Sequence, residues 1–318
     1  MKILVTGAAG FIGGHLVDRF LEAGHKVTGI DNLSLGTLRH LENAHKNPGF
    51  RFIRADLNAI ETYRPLLVEN AAKGPFDALW HLAANSDISA GVNDPGIDLR
   101  DTFMTTFNAL KLARQFGIPR FVFASTSAVY GERDSLLVED SGPMLPISNY
   151  GAMKLASEAS ISAAVESGLG QAWIFRFPNV IGPRATHGAL YDFVKKLRND
   201  PTQLPVLGDG TQQKPYLHVF ELIDAMLFIT QNASAPLNYY NIGPESEGTT
   251  VRFIAETAVR LVSPNAEIRY GTGSKGWIGD VPKFNYSVEK LKKLGWRPKF
   301  DSNQAVVRAL EELSSAKP

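Results

Sequence analysis

Six stretches of the chain carry nearly unbroken apolar runs of strand length. They are KILVTG (residues 2–7), KVTGID (26–31), RFIRAD (51–56), DALWHLAA (77–84), FVFAST (121–126) and QAWIFRF (171–177). Runs without apolar–polar alternation point to strands covered on both faces. Helical patterns lie between them. GGHLVDRFLEAGH places Leu16, Phe20 and Leu21 on one face, with Gly24 as its stop. Further helices are expected around YRPLLVENAA, from about Leu99 to Phe116 with Phe103, Phe107, Leu110 and Ala113 at helical spacing, and from about Tyr150 to Ser167. Six alternations of strand and helix predict an α/β fold, a doubly wound parallel sheet.

After about Phe177 the rhythm changes. Loops lengthen, Pro and Gly become frequent, and helices are expected without regular strands between them. Residues 1–177 therefore read as a Rossmann domain. Residues 178–318 read as a smaller C-terminal α/β lobe that binds substrate over the sheet's carboxyl edge, where open α/β sheets take ligands, with some chain crossing back.

Composition narrows the ligand. Thirty-three basic residues oppose 32 acidic ones in a chain that is 44% apolar. That balance offers no footprint for nucleic acid or an anionic membrane, so an anionic ligand must be held by a few placed groups. The absence of cysteine removes disulfides, thiolate nucleophiles and Cys-ligated zinc. It accords with a cytoplasmic location. No run approaches the roughly 18 apolar residues of a membrane span. The Lys2-led start is interrupted by glycines and Asp18, against a signal peptide.

The first strand runs into Gly7, Gly10 and Gly13, and a helix follows. This spacing allows a tight turn, a close backbone approach by a pyrophosphate, and close helix–strand packing at a positive helix end. Asp31 ends the next strand 18 residues after Gly13, placed to bond the adenosine ribose hydroxyls. It would repel a 2′-phosphate, which favours NAD over NADP. A glycine-rich turn with a solvated Asp is the bland alternative. Asp56 ends the third strand and either reaches the adenine or caps a helix. Leu82, Ala83 and Ala84 end the fourth, leaving room for the cofactor's middle or simply packing.

Tyr150 and Lys154 are four residues apart on a helix and share a face. A neighbouring ammonium, together with a positively charged nicotinamide, would favour the phenolate and turn a poor base into a usable one. Thr126, at the fifth strand's end, can bridge that oxygen and a substrate oxygen. Tyr-x-x-x-Lys alone also describes an exposed surface pair; the dinucleotide turn upstream and the hydroxyl-rich strand end favour the reactive reading.

TGAAGFIG, HLAA, STSAVYG, YGAMK and RFPNVIGPR, in this order and spacing, resemble the extended short-chain dehydrogenase/reductase family. Within it the chain is most similar to nucleotide-sugar epimerases of the UDP-glucose 4-epimerase type. The resemblance spans essentially the whole chain and is most specific in residues 1–184. It implies that Thr126, Tyr150 and Lys154 are catalytic, that Lys154 holds the nicotinamide ribose, and that NAD stays bound through turnover. It extends the cofactor contacts to Gly7, Gly10, Phe11, Ile12, Gly13, Asp31, Asn32, Ser34, Gly36, Asp56, Leu57, Leu82, Ala83, Ala84, Ser125 and Pro178.

The implied substrate is a nucleoside diphosphate sugar, most readily a UDP-sugar. The implied contacts are Ser86, Thr126, Tyr150, Asn179, His187, Leu190, Lys214 and Lys275. Asn85 and Asp87, flanking Ser86, either line the sugar pocket or form a polar loop. His187 has no second His or carboxylate at ligand spacing, so no metal is expected. Three positions depart from the family pattern. Lys214-Pro215 stands where Arg-Asp is usual, and a solvated Lys214 is the alternative. Trp277-Ile278-Gly279-Asp280 stands where Arg-Pro-Gly-Asp is frequent. Thr102 replaces an Asn on the long helix.

After Thr126 come Ser127 and Ala128, with no carboxylate. Dehydratase and decarboxylase relatives carry acidic residues there, so oxidation at C4 and re-reduction is the expected reaction. A 4-keto reductase or net dehydrogenase is the alternative, recognisable by releasing its nicotinamide each cycle. A non-catalytic NAD sensor would lack the Tyr or the Lys. Relatives pair their long helices into homodimers; the apolar face of residues 99–116 either does this or covers the sheet.

Overall fold

The apolar runs become one sheet. A computed structural model describes residues 1–133, 135–273, 283–284 and 286–315 of the 318. In chain order the elements are β1 (Lys2–Thr6), α1 (Phe11–Glu22), β2 (Lys26–Asp31), β3 (Phe50–Arg54), α2 (Ile60–Ala71), β4 (Ala78–His81), α3 (Ile88–Asn93), α4 (Pro95–Asp98), α5 (Thr105–Gln115), β5 (Arg120–Ala124), α6 (Asn149–Glu166) and β6 (Gln171–Arg176). The strand order is β3-β2-β1-β4-β5-β6, with Leu237–Asn241 as a seventh, edge strand beside β6. The pairs from β3 through to β6 are all parallel. Connections run one way from β1 and the other way from β4. The sheet's switch point therefore lies between those two strands, the usual place for a ligand crevice.

Both faces of the sheet are covered, as unbroken apolar strands require. Leu4, Val5, Leu79, Phe121, Phe123 and Phe175 are wholly buried. Helix α1 buries Leu16, Val17, Phe20 and Leu21, and Gly24 ends it at φ +77°.

The long helix departs from the even 3.6-residue pattern read in 99–116. It begins earlier, at Pro95, with Asp94 accepting the Gly96 N–H as its cap. It then passes through a π-helical turn, Leu99–Met104, before α5. Threonine hydroxyls bond back to the carbonyls of that turn: Thr105 to Asp101 and Thr106 to Thr102, each at 3.0 Å. Downstream, Ala109, Leu112 and Ala113 face the core, while Leu99 and Phe107 are 51% and 44% exposed.

The chain divides into two compact units. One comprises Met1–Val129, Leu145–Arg176 and Thr230–Tyr240; the other comprises Tyr130–Met144, Phe177–Ile229 and Asn241–Pro318. The second unit corrects the expectation of helices without strands. It pairs Asn179–Ile181 with Tyr216–His218, Gln213–Lys214 with Thr249–Thr250, and Gln203–Val206 with Glu267–Tyr270. Strands of two to four residues are too short for their alternation to register. Its core gathers Leu190, Phe193, Leu197, Leu204, Ile254, Ala258 and Leu310. Among the described residues no helix is long and apolar enough to cross a membrane.

Candidate active site

The glycines after β1 are required by contact. Gly7 sits at φ +71°, and a Cβ there would lie 2.7 Å from the Ala83 nitrogen. A Cβ on Gly13 would lie 2.0 Å from the Gly7 carbonyl oxygen. Gly10 is the N-cap of α1; it offers no side-chain cap, and the first turn, opened by Phe11 and Ile12, carries no acidic residue. A positive helix end free of side-chain competition suits a diphosphate.

Asp31 ends β2 at 8% exposure and accepts the Ala9 N–H at 2.9 Å and the Leu33 N–H at 2.8 Å. Burial pushes its carboxyl up, opposed by those two N–H groups and by His40. Gly36 folds over the carboxylate, where a Cβ would meet Asp31 Oδ1 at 2.9 Å. Asn32 and Ser34 are exposed beside it, the Asn32 side chain accepting the Ser34 N–H. Asp56, past β3, is exposed and accepts the Asn58 N–H. It does not cap α2, whose N-cap is Ala59. Leu57 is buried in the core. Leu82, Ala83 and Ala84 follow β4 half-buried. The chain ends of β1 to β4 thus carry a diphosphate cradle and a ribose-length carboxylate, which fits a dinucleotide.

Tyr150 is the second residue of α6, just after the N-cap Ser148. A Cβ on Gly151 would lie 2.7 Å from the Ala128 carbonyl oxygen, so a glycine lets this helix start press against the turn after β5. The approach brings the Thr126 hydroxyl close enough to the Tyr150 phenol to favour its ionised form. One turn later Lys154 is 2% exposed. Its Nζ donates to the Ala124 carbonyl at 2.7 Å, 4.6 Å from the Phe123 ring centre and 5.8 Å from that of Tyr150. Such burial excludes the exposed surface pair.

The electrostatics differ from the sequence expectation. Burial and then the Asp98 carboxylate push the Tyr150 hydroxyl above its ordinary value, and the neighbouring Thr126 hydroxyl opposes them. The Lys154 ammonium does not lower it: that group is turned to Ala124 and is itself pushed down by burial to about 7, with Glu158 and Asp98 opposing. Desolvation outweighs the neighbouring charges.

Two supporting residues, Glu158 and His81, escaped sequence reading. Glu158 lies one further turn along the Tyr150–Lys154 face, so its spacing was a usable signal. It takes Arg176 Nε at 3.0 and 3.1 Å and Nη2 at 2.6 Å, with the Ser125 hydroxyl at 2.5 Å. His81 is wholly buried between Thr6 (2.7 Å) and Thr106 (3.0 Å). Burial lowers it to about 3, so it stays neutral. Because the Thr106 hydroxyl donates to the Thr102 carbonyl, it accepts from His81 Nε2–H. Asn85 is buried and donates to Asp98 and to the Asp87 carbonyl; Asp87 caps α3, and Ser86 is exposed between them.

The remaining candidates belong to the second unit. Pro178 is buried, Asn179 is exposed on its short strand, and His187 is exposed beside Thr186. Leu190 is 3% exposed within the core. Lys214 is half-buried on the strand paired with Thr249–Thr250. Lys275 and the stretch Trp277–Asp280 lie outside the described residues.

Residues 3–243 match the NAD dependent epimerase/dehydratase family. A solved UDP-galactose 4-epimerase is 35% identical, with a TM-score of 0.85 and 98% of each chain covered. The Thermus thermophilus UDP-glucose 4-epimerase, solved with NAD, is 29% identical, with a TM-score of 0.85 and 100% of each chain covered. The UDP-glucose 4-epimerase of Mycolicibacterium smegmatis is 28% identical over 320 residues, 98% of each chain. A turn built to take a diphosphate, a half-buried Tyr150 beside a buried Lys154, and full-length likeness agree: this chain is an enzyme of the NAD dependent epimerase/dehydratase family, and its cofactor is NAD.

Proposed function

We propose that the enzyme is a UDP-sugar 4-epimerase of the UDP-glucose/UDP-galactose type. The observation that carries this is the makeup of the reactive cluster. Thr126, Tyr150 and Lys154 supply one acid–base group, and among the described residues of the cluster no carboxylate is free to serve as a second proton carrier. Asp98 and Glu158, whose charges act on Lys154, are buried away from solvent, Glu158 paired with Arg176 and Asp98 held through its Oδ1 and packed by its Oδ2 against Gly91. Elimination or decarboxylation needs more proton carriers than that; inversion at C4 does not.

Bound NAD supplies the hydride acceptor that later returns the hydride. The Tyr150 oxygen takes the C4 hydroxyl proton, with the Thr126 hydroxyl orienting both oxygens. Lys154, fixed by the Ala124 carbonyl one helical turn from Tyr150, is assigned to the nicotinamide ribose. Tyr150 keeps that proton while the 4-keto sugar turns its other face, then gives it back. Asp31 takes the ribose hydroxyls, and the α1 N-terminus the cofactor diphosphate. Asn179, His187 and Lys214 are assigned to the nucleotide sugar, which must be gripped by its nucleotide and left loose at its sugar. A second copy of the chain is the assigned partner of the exposed Leu99 and Phe107.

Tyr150→Phe tests the assignment. It removes the acid–base group and should slow epimerisation about 100- to 10,000-fold while NAD stays bound. Near-normal turnover in that variant would overturn the mechanism.

A further inference from the structure

The Asp98 carboxylate takes no part in the transfers above, yet it is built into the reactive cluster. It ends α4 and is wholly buried. Its Oδ1 accepts from the Asn85 amide at 2.9 Å and from the Thr102 hydroxyl at 3.3 Å. Thr102 belongs to the π-helical turn, a distortion that recurs at functional sites. Oδ2 is buried with no hydrogen-bond partner. It fills the space a Cβ on residue 91 would need, 1.8 Å away, so only glycine fits at Gly91. The Gly91 carbonyl in turn accepts from Asn149, the residue before Tyr150, at 2.9 Å. The bare oxygen is thus packed against the segment that anchors the start of α6.

The surrounding charges leave Asp98 a specific role. Helix α6 presents Tyr150, Lys154 and Glu158, and β6 presents Arg176, which pairs with Glu158. β4 presents neutral His81, and the turn after β5 presents the hydroxyls of Ser125 and Thr126. On the π turn Asp101 pairs with Arg100. Beside it Asp87 and Asp94 cap α3 and α4 and are exposed, so Asp98 is the buried anion here with no cation bonded to it, and its field reaches both Lys154 and Tyr150. We propose that Asp98 is a positioning residue whose buried negative charge sets the protonation of the Tyr150–Lys154 pair, resting on the acid–base role given to Tyr150 above.

Asp98→Asn tests this because the amide keeps the Oδ1 acceptor and fills the same space. Removing a negative charge lowers the proton affinity of both neighbours. Both limbs of the kcat–pH profile should therefore move to lower pH by about 1 unit, with bound NAD unchanged. Asp98→Glu, which keeps the charge, should leave the limbs in place. Limbs that stay put in Asp98→Asn, whatever happens to kcat, would overturn the proposal.

A second readout needs no turnover. The melting-temperature difference between the purified full-length chain and its Lys154→Met variant, followed against pH, reports the protonation of Lys154. In an Asp98→Asn background its onset should move to lower pH; an unmoved onset overturns the proposal even if no UDP-sugar is a substrate. Should Asp98→Asn fail to fold, Asp98→Ser, which leaves space beside Gly91, is read in the same two ways.

Discussion

Lys154→Met should stabilise the protein and abolish turnover. The side chain is 2% exposed, and burial takes its ammonium from 10.5 to about 7. That fall corresponds to about 5 kcal/mol that folding must supply to keep the group charged. The bond to the Ala124 carbonyl at 2.7 Å and the contact over Phe123 are lost in the variant and offset roughly half of it, leaving a net gain of about 2 kcal/mol. The pH dependence fixes the cause. Because the folded value lies below the unfolded one, the unfolded chain holds a proton that the folded chain sheds between about pH 7 and 10.5. The cost is complete below about pH 7 and fades as pH rises through that window. Denaturant unfolding after removal of bound nucleotide should show the variant more stable at pH 6 and no better near pH 10. A variant less stable than the wild type by the same margin at both pH values would refute the reasoning.

Gly13→Ala forces a Cβ to within 2.0 Å of the Gly7 carbonyl, a backbone atom that cannot step aside, so the purified variant should lose its bound NAD, read from cofactor absorbance after denaturation. Glu158→Gln leaves Arg176, 6% exposed, without its anion; unfolding should show a loss of about 3–5 kcal/mol, and an unchanged denaturation midpoint would contradict that pairing. Phe107→Glu places a charge on the exposed helix face and should convert a dimer to a folded monomer by light scattering; a wild-type chain that is already monomeric removes the assigned partner.

Local rules made much of the first unit legible. The strands between Lys2 and Arg176 are apolar because both sheet faces are covered, and the Gly7–Gly10–Gly13 turn is forced by backbone contacts that tolerate no side chain. Tyr150 and Lys154 share a face by helical geometry alone. Other features depend on contacts distant in sequence. The strand Leu237–Asn241 joins the sheet after a helix of the second unit, and nothing local marks it. The π turn at Leu99–Met104 shifts the helix register without changing composition, so Phe107 read as one of a continuous apolar face and turns out exposed. Nothing in the local sequence marks Asp98 for burial; the missing Cβ of Gly91, seven residues earlier, makes room for it. Among the protein's own groups the Tyr150 hydroxyl is governed by desolvation rather than by charge proximity, which residue spacing alone does not reveal.

Inversion at C4 is measured most directly by incubating the purified enzyme, without added NAD, with UDP-glucose and separately with UDP-galactose, and following the sugar proton resonances by NMR. The account predicts that both samples converge on one mixture of the two sugars, with no coenzyme consumed. If neither sugar nor any other 4-epimer pair converts, while a 4-keto nucleotide sugar is reduced at the expense of added NADH, the epimerase assignment is wrong and a reductase takes its place.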